Sequence, residues 1–149
     1  MRRRTTRRYS RRNCVQNIVV DAGPLIALFR RRDKHHLRVK RFLAESSARL
    51  VTTLPVVTEV CHFLNAHGKP AFLTWVRRGG LTIQTVTAED FEQIGAIMER
   101  YEDRDIDFAD ASLIWLADRL NCTSVLTVDR ADFNVYRLSN GKAFQIVAE

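Results

Sequence analysis

The feature that most constrains this chain is a recurring alternation of short β-branched runs and longer helical patterns. Asn17–Val20, Arg49–Thr52, Leu81–Val86, Ser124–Val128 and Ala143–Val147 read as strands, Asn17–Val20 with the apolar, β-branched composition of a buried one. Helical spacing fills the gaps between them. Parallel neighbours need crossovers of a dozen or more residues, and the gaps are mostly long enough to supply them. The expected architecture is therefore α/β: a three-layer α/β/α stack around a central, mostly parallel sheet of four to five strands.

The helices are legible from capping and periodicity. Asp21-Ala22-Gly23-Pro24 is a turn that opens Leu25–Phe29, with Pro24 tolerated in a first helical turn and Asp21 able to cap it. Further helices are expected over His36–Ala44, Leu54 to about Asn65, Ala71–Arg78, Ala88–Tyr101 and Asp107–Leu120. His67-Gly68-Lys69-Pro70 reads as a break. Thr87, followed three residues on by Asp90, reads as an approximate capping box.

Charge is unevenly placed. The formal net charge is +7, but Arg2, Arg3, Arg4, Arg7, Arg8, Arg11 and Arg12 fall in the first 13 residues, which hold no acid. Without these seven, Lys plus Arg equal Asp plus Glu at 17 each, so the rest of the chain is neutral. Residues 1–16 are read as a tail, disordered by composition, preceding one domain over 17–149. Three readings of the tail stay open: a phosphate-neutralising arm, a transit peptide, and a misplaced chain start. No apolar stretch approaches the roughly 20 residues that span a bilayer, so no membrane role is expected. Cys14, Cys61 and Cys122 match no zinc or redox spacing and read as free thiols, which suggests a cytoplasmic protein.

Four acids stand in apolar surroundings. Asp21 and Asp129 end the runs Ile18-Val19-Val20 and Val125-Leu126-Thr127-Val128, while Glu59 and Asp110 sit inside helical patterns. In a parallel sheet the two strand-end acids face the same crevice, and the helical pair can reach it. Two carboxylates about 4 Å apart repel by roughly 4 kcal/mol at an effective dielectric of 20. Convergence of all four thus calls for protons or a cation, and hard oxygen donors in that number suit Mg²⁺ or Mn²⁺ rather than zinc. Singly, three of them have plainer explanations, Glu59 as a solvated helix residue, whereas Asp110, between Ala109 and Ala111 on an apolar helix, is harder to dismiss. Asp21 is as readily a cap as a ligand, Asp129 can initiate a turn, and Asp132 reads as the cap or turn acid there. Glu102, Asp103, Asp105 and Asp107 read as a solvated charge run, with Asp107 also one turn before Asp110.

Four segments in this order resemble the PIN-domain family: Val-Val-Asp21-Ala-Gly-Pro-Leu-Ile-Ala-Leu-Phe, Thr58-Glu59-Val60, Asp107-Phe-Ala-Asp110-Ala-Ser-Leu and Leu126-Thr127-Val-Asp129-Arg-Ala-Asp-Phe133. That family consists of metal-dependent ribonucleases and includes the VapC toxins of bacterial toxin–antitoxin pairs. The resemblance covers about residues 17–147. It implies an acidic metal-binding and catalytic set of Asp21, Glu59, Asp110 and Asp129, with Asp107 and Thr127 in support. It also implies Mg²⁺ or Mn²⁺ as cofactor, hydrolysis of RNA by an activated water, a cognate antitoxin and a homodimer, with residues 25–43 and 54–65 as candidate surfaces. The arginine tail departs from the family's usual start.

Other chemistries fit poorly. A haloacid-dehalogenase pattern needs a second acid two residues after Asp21, where Gly23 stands, and a receiver needs an Asp after strand three, where Val86-Thr87 stands. No Ser, Cys or His triad is evident. His62 and His67 do not share a helix face and read as structural or surface, and His35 and His36 read as solvated. The alternative function is a non-catalytic module that binds RNA or protein.

Overall fold

The computed structural model describes residues 15–148. The arginine-rich segment up to residue 14, with Cys14 and every expectation attached to it, lies outside the described residues.

Five strands form one sheet in the order β3-β2-β1-β4-β5, and every neighbouring pair is parallel. They are β1 (Asn17–Val20), β2 (Arg49–Thr53), β3 (Thr82–Gln84), β4 (Ser124–Leu126) and β5 (Gln145–Ile146). Seven α-helices connect them among the described residues: α1 (Ala22–Phe29), α2 (His36–Glu45), α3 (Leu54–Phe63), α4 (Gly68–Trp75), α5 (Phe91–Arg100), α6 (Phe108–Leu120) and α7 (Arg130–Phe133). From β1 the chain steps outward through β2 to β3, then returns across the sheet to β4 and β5. Helix α1 packs against α2, α3 and α4, and α5 packs against α6.

The order reverses between β1 and β4, so the switch point lies beyond the carboxyl ends of those two strands. Both are sealed in the core: Val19, Val20 and Val125 are fully buried. Val19 pairs with Val51 on one side and Val125 on the other. Helix α6 packs across β1 and β2 and against α5 and α3, with Ala111 through Ala117 all buried. That continuous burial explains its weak amphipathicity in the sequence.

Several boundaries differ from the sequence reading. Pro70 lies in the first turn of α4, not in a break before it. First-turn amides have no intrahelical partner, so a proline there costs no hydrogen bond. Helix α4 ends at Trp75 in a wide turn over Val76–Gly80, where Gly79 adopts φ 94°. A Cβ on Gly80 would collide with the Trp75 ring, so this turn needs glycine twice for different reasons. Helix α3 ends at Phe63 rather than Asn65. The edge strand β3 keeps only three residues, and the four-residue α7 after Asp129 is not evident from periodicity. The Thr87–Asp90 capping box does form, over a 3₁₀ turn ahead of α5. Among the described residues no helix is long and apolar enough to cross a membrane.

Candidate active site

A crevice of about 310 Å³ opens beyond the carboxyl ends of β1 and β4. Asp21, Glu59, Asp107, Asp110, Asp129 and Asp132 all line it, with Asp105, Arg104 and Tyr136. The four acids singled out in the sequence therefore share one mouth, although they come from the end of β1, the middle of α3, the first turn of α6 and the start of α7.

Asp21 is the best fixed of them. It is 8% exposed and terminates β1, where its backbone N–H donates to the Leu126 carbonyl at 3.0 Å. Its Oδ1 accepts the Ala22 N–H at 2.7 Å, which makes it the N-cap of α1. Its Oδ2 accepts the Thr127 hydroxyl at 2.8 Å. Thr127 Oγ1 in turn accepts the Asp129 N–H at 3.0 Å. The buried threonine thus joins the two strand ends by a directed relay from the Asp129 amide, through the hydroxyl, to the Asp21 carboxylate. Cap and crevice member are one and the same residue here, not competing roles.

Asp107 and Asp129 repeat the capping device at the starts of α6 and α7. The Asp107 carboxylate accepts the Asp110 N–H at 2.8 Å, and that of Asp129 accepts the Asp132 N–H at 3.2 Å. Asp129, not Asp132, is therefore the cap of α7, while Asp132 pairs with Arg104 at 3.0 Å on the crevice rim. All four acids of the charge run are exposed, as the sequence suggests, and two of them, Asp105 at φ 49° and Asp107, also line the crevice.

The electrostatics register the crowding. Burial, and then the charges of Asp21 and Asp107, push the Asp110 carboxyl up to about 8. Burial also raises Asp21, against the pull of its bonds to Thr127 and Ala22. Glu59 is raised by burial and by Asp21 and Asp107. Tyr136, 1% exposed, donates its hydroxyl to Asp110 Oδ2 at 3.2 Å, and its burial holds that hydroxyl in the protonated, donating form. Sequence reasoning missed this residue. It lies 26 positions from its partner, and only its packing against Tyr101 and Phe133 aims it inward.

Among the described residues no three His, Cys, Asp or Glu side chains close into a ready cage for an ion. The donor set nevertheless fits a hard cation. All of its members are carboxylates, three of them are starved of charge compensation, and they open onto solvent. Mg²⁺ is commonly held by one or two carboxylates with the remaining positions filled by water and substrate phosphate. Asp21 and Asp110, both raised by burial and Asp110 also by the charge of Asp21, are carboxylates on this mouth that could hold such an ion.

None of the histidines enters the crevice. His36, expected to be solvated, is half-buried and donates from Nδ1 to the Ala27 carbonyl at 2.8 Å. The described cysteines, Cys61 and Cys122, are free thiols away from the site.

A model of the PIN domain matches residues 18–138. The chain is 29% identical over 134 residues to Ribonuclease VapC26 of Mycobacterium tuberculosis, covering 87% of this chain and 99% of that protein. Its fold superimposes with a TM-score of 0.68 on the crystal structure of Mycobacterium tuberculosis VapC20, described as a sarcin-ricin-loop-cleaving toxin. The identity there is 22%, and the match covers 76% of this chain and 91% of the other.

Proposed function

The chain belongs to the PIN-domain family, and from that premise we propose that it is a metal-dependent endoribonuclease. On this reading it hydrolyses RNA phosphodiester bonds, with one or two Mg²⁺ or Mn²⁺ ions held by Asp21, Glu59, Asp110 and Asp129. The observation that carries the reading is the convergence of these four acids from separate elements on the crevice at the sheet's switch point.

The chemistry such an ion supplies when bound is a lowered pKa for a water and neutralisation of charge at the phosphate. Everything else falls to the chain. Asp21 is held by the Ala22 amide and the Thr127 hydroxyl, so its carboxylate is oriented before any ligand arrives. Tyr136 orients Asp110. Glu59 and Asp129, less buried than Asp21, are placed to accept a proton from a water entering from solvent. Thr127 is occupied as donor to Asp21 and acceptor from Asp129, which leaves it a positioning role and no nucleophilic one.

The likeness to Ribonuclease VapC26 over nearly its whole length supports extending the proposal to a toxin of a type II toxin–antitoxin pair acting in the cytoplasm. A protein antitoxin would neutralise it. A homodimer would use the apolar surface that Leu37, Leu54 and Phe63 leave exposed.

The test is RNA cleavage with Mg²⁺ or Mn²⁺ by wild type, Asp21→Asn and Asp110→Asn. Each substitution should lower kcat/KM by about a hundredfold or more, roughly 3 kcal/mol at 1.36 kcal/mol per factor of ten. Cleavage that survives both would remove the acidic crevice from the mechanism. Tight RNA binding with no cleavage by wild type would leave a non-catalytic module.

A further inference from the structure

A second depression, about 1230 Å³, lies where the end of α1, the loop to α2 and the start of α4 meet. Its lining has the opposite character to the crevice. Arg30, Arg31, Arg32, Lys34 and Lys40 face it, and Asp33 is the one acid among the residues that form it. Asp33 is engaged locally, accepting the His35 N–H at 2.8 Å. Arg31, Arg32, Lys34 and Lys40 are exposed, and none is in an ion pair with another described residue. A cluster of exposed like charges without partners raises the local concentration of anions.

The cleft is also held in shape. The Arg30 guanidinium donates to the Phe63 carbonyl at the end of α3, and His36 bonds the Ala27 carbonyl, so the basic loop is pinned to α1 and α3. Phe29 and half-buried Trp75 form its aromatic wall, with ring centroids 5.7 Å apart and Gly80 packed against the Trp75 ring. Unpaired cations beside fixed aromatic rings are the chemistry of a single-stranded nucleic-acid groove, where cations follow the phosphates and bases stack on the rings.

Position connects this cleft to the acidic crevice. Gly23 and Ile26 line the crevice, while Phe29 and Arg30 line the cleft. Residues three and four apart share a helix face, so one face of α1 leads from one opening to the other. The eight residues of α1 span about 12 Å, which is a distance of a few nucleotides. A polymer cut in the crevice must leave it in both directions, and the neutral remainder of the chain provides no general attraction for it.

We propose that the basic cleft formed by Arg30, Arg31, Arg32, Lys34 and Lys40 is an RNA-binding exosite that holds the phosphate backbone of a single-stranded segment flanking the scissile bond. This rests on RNA being the substrate of the acidic crevice. The cleft sets affinity and leaves the chemical step alone.

The experiment compares the full chain with the variant Arg31→Ala/Arg32→Ala/Lys34→Ala/Lys40→Ala, the N-terminal arginines being present in both. Binding of fluorescein-labelled oligouridylate is measured in EDTA across a salt series. The slope of log K against log salt changes by about 0.7 per phosphate contact for single strands, so the variant should lose roughly 2 to 3 of it. With Mg²⁺, the variant's KM for RNA should rise severalfold while its kcat stays within about twofold of wild type. The conservative Arg31→Lys/Arg32→Lys variant should keep the wild-type slope. A slope and KM unchanged in the alanine variant, at unchanged melting temperature, would overturn the exosite. So would loss of affinity for poly-L-glutamate alone, which would assign the cleft to an acidic polypeptide. Absence of cleavage by wild type would overturn the ribonuclease reading instead, while the salt slope would still decide the cleft.

Discussion

Asp110 meets opposite demands from folding and from the chemistry proposed for the crevice. Its carboxyl is pushed from 3.8 to about 8, by burial first and by Asp21 and Asp107 next. Between those values the folded protein holds a proton that the unfolded chain has released. Without metal, stability from this group therefore declines as pH rises from about 4 to about 8 and levels off above that. Asp21 and Glu59, raised for the same first reason, act with the same sign. Asp110→Asn keeps an oxygen for Tyr136 and removes the charge. In EDTA at pH 8 the variant should melt at least about 3 °C above wild type, roughly 1 kcal/mol for a chain of this size, and its stability should fall less steeply with pH. Thermal melts at pH 5 and pH 8 decide it, and a variant no more stable at the higher pH would mean Asp110 is not strained. The sequence could show Asp110 because an acid between two alanines in an apolar helix is conspicuous. It could not show Tyr136, whose role depends on a tertiary contact that leaves no local pattern.

At the scale of elements, close approach between α1 and the segment after β4 shapes the crevice. Gly23 in the first turn of α1 lies against Val128, and a Cβ there would collide with the valine side chain. Asp21 and Asp129 flank this contact and are already joined through Thr127, so a shift of α1 would pull the relay apart. Gly23→Ala should cost about 1–3 kcal/mol as an overpacked contact. It should also reduce RNA cleavage more than a matched loss of stability elsewhere. Gly23→Ala/Val128→Ala should regain most of both, because the space returns. Failure of the double variant to recover, in melts and in cleavage assays, would place the glycine's importance outside this contact. Elements that bury a whole face were legible in the sequence for the same packing reason: β1, β4 and α6 are runs of apolar residues with acids at their ends. Elements set by a few polar bonds were not. Helix α7 is one turn fixed by the Asp129 cap, and α4 starts before Pro70 because the Asn65 side chain accepts the Gly68 N–H at 2.8 Å.

The whole molecule separates its charges. Among the described residues, seven aspartate and glutamate side chains line the mouth of β1 and β4 with Arg104 as the one cation beside them, while Arg31, Arg32, Lys34 and Lys40 lie past the far end of α1. A neutral domain organised this way gives up folding stability at its acidic end, and a divalent cation that binds only the folded state should restore it. Occupancy at a hundred times Kd adds about 2.7 kcal/mol, which for a chain near this size is roughly 5–10 °C in melting temperature. General screening also relieves repulsion between like charges, so the comparison must be made at matched ionic strength. Mg²⁺ or Mn²⁺ should raise the melting temperature above the value in NaCl of equal ionic strength, and Asp110→Asn should lose most of that excess. The two halves of the result answer different questions. A rise equal to that in NaCl would mean the acids are only screened and hold no ion. A full rise that persisted in Asp110→Asn would move the ion to Asp21, Glu59 and Asp129, leaving Asp110 and its Tyr136 bond to serve the crevice as structure.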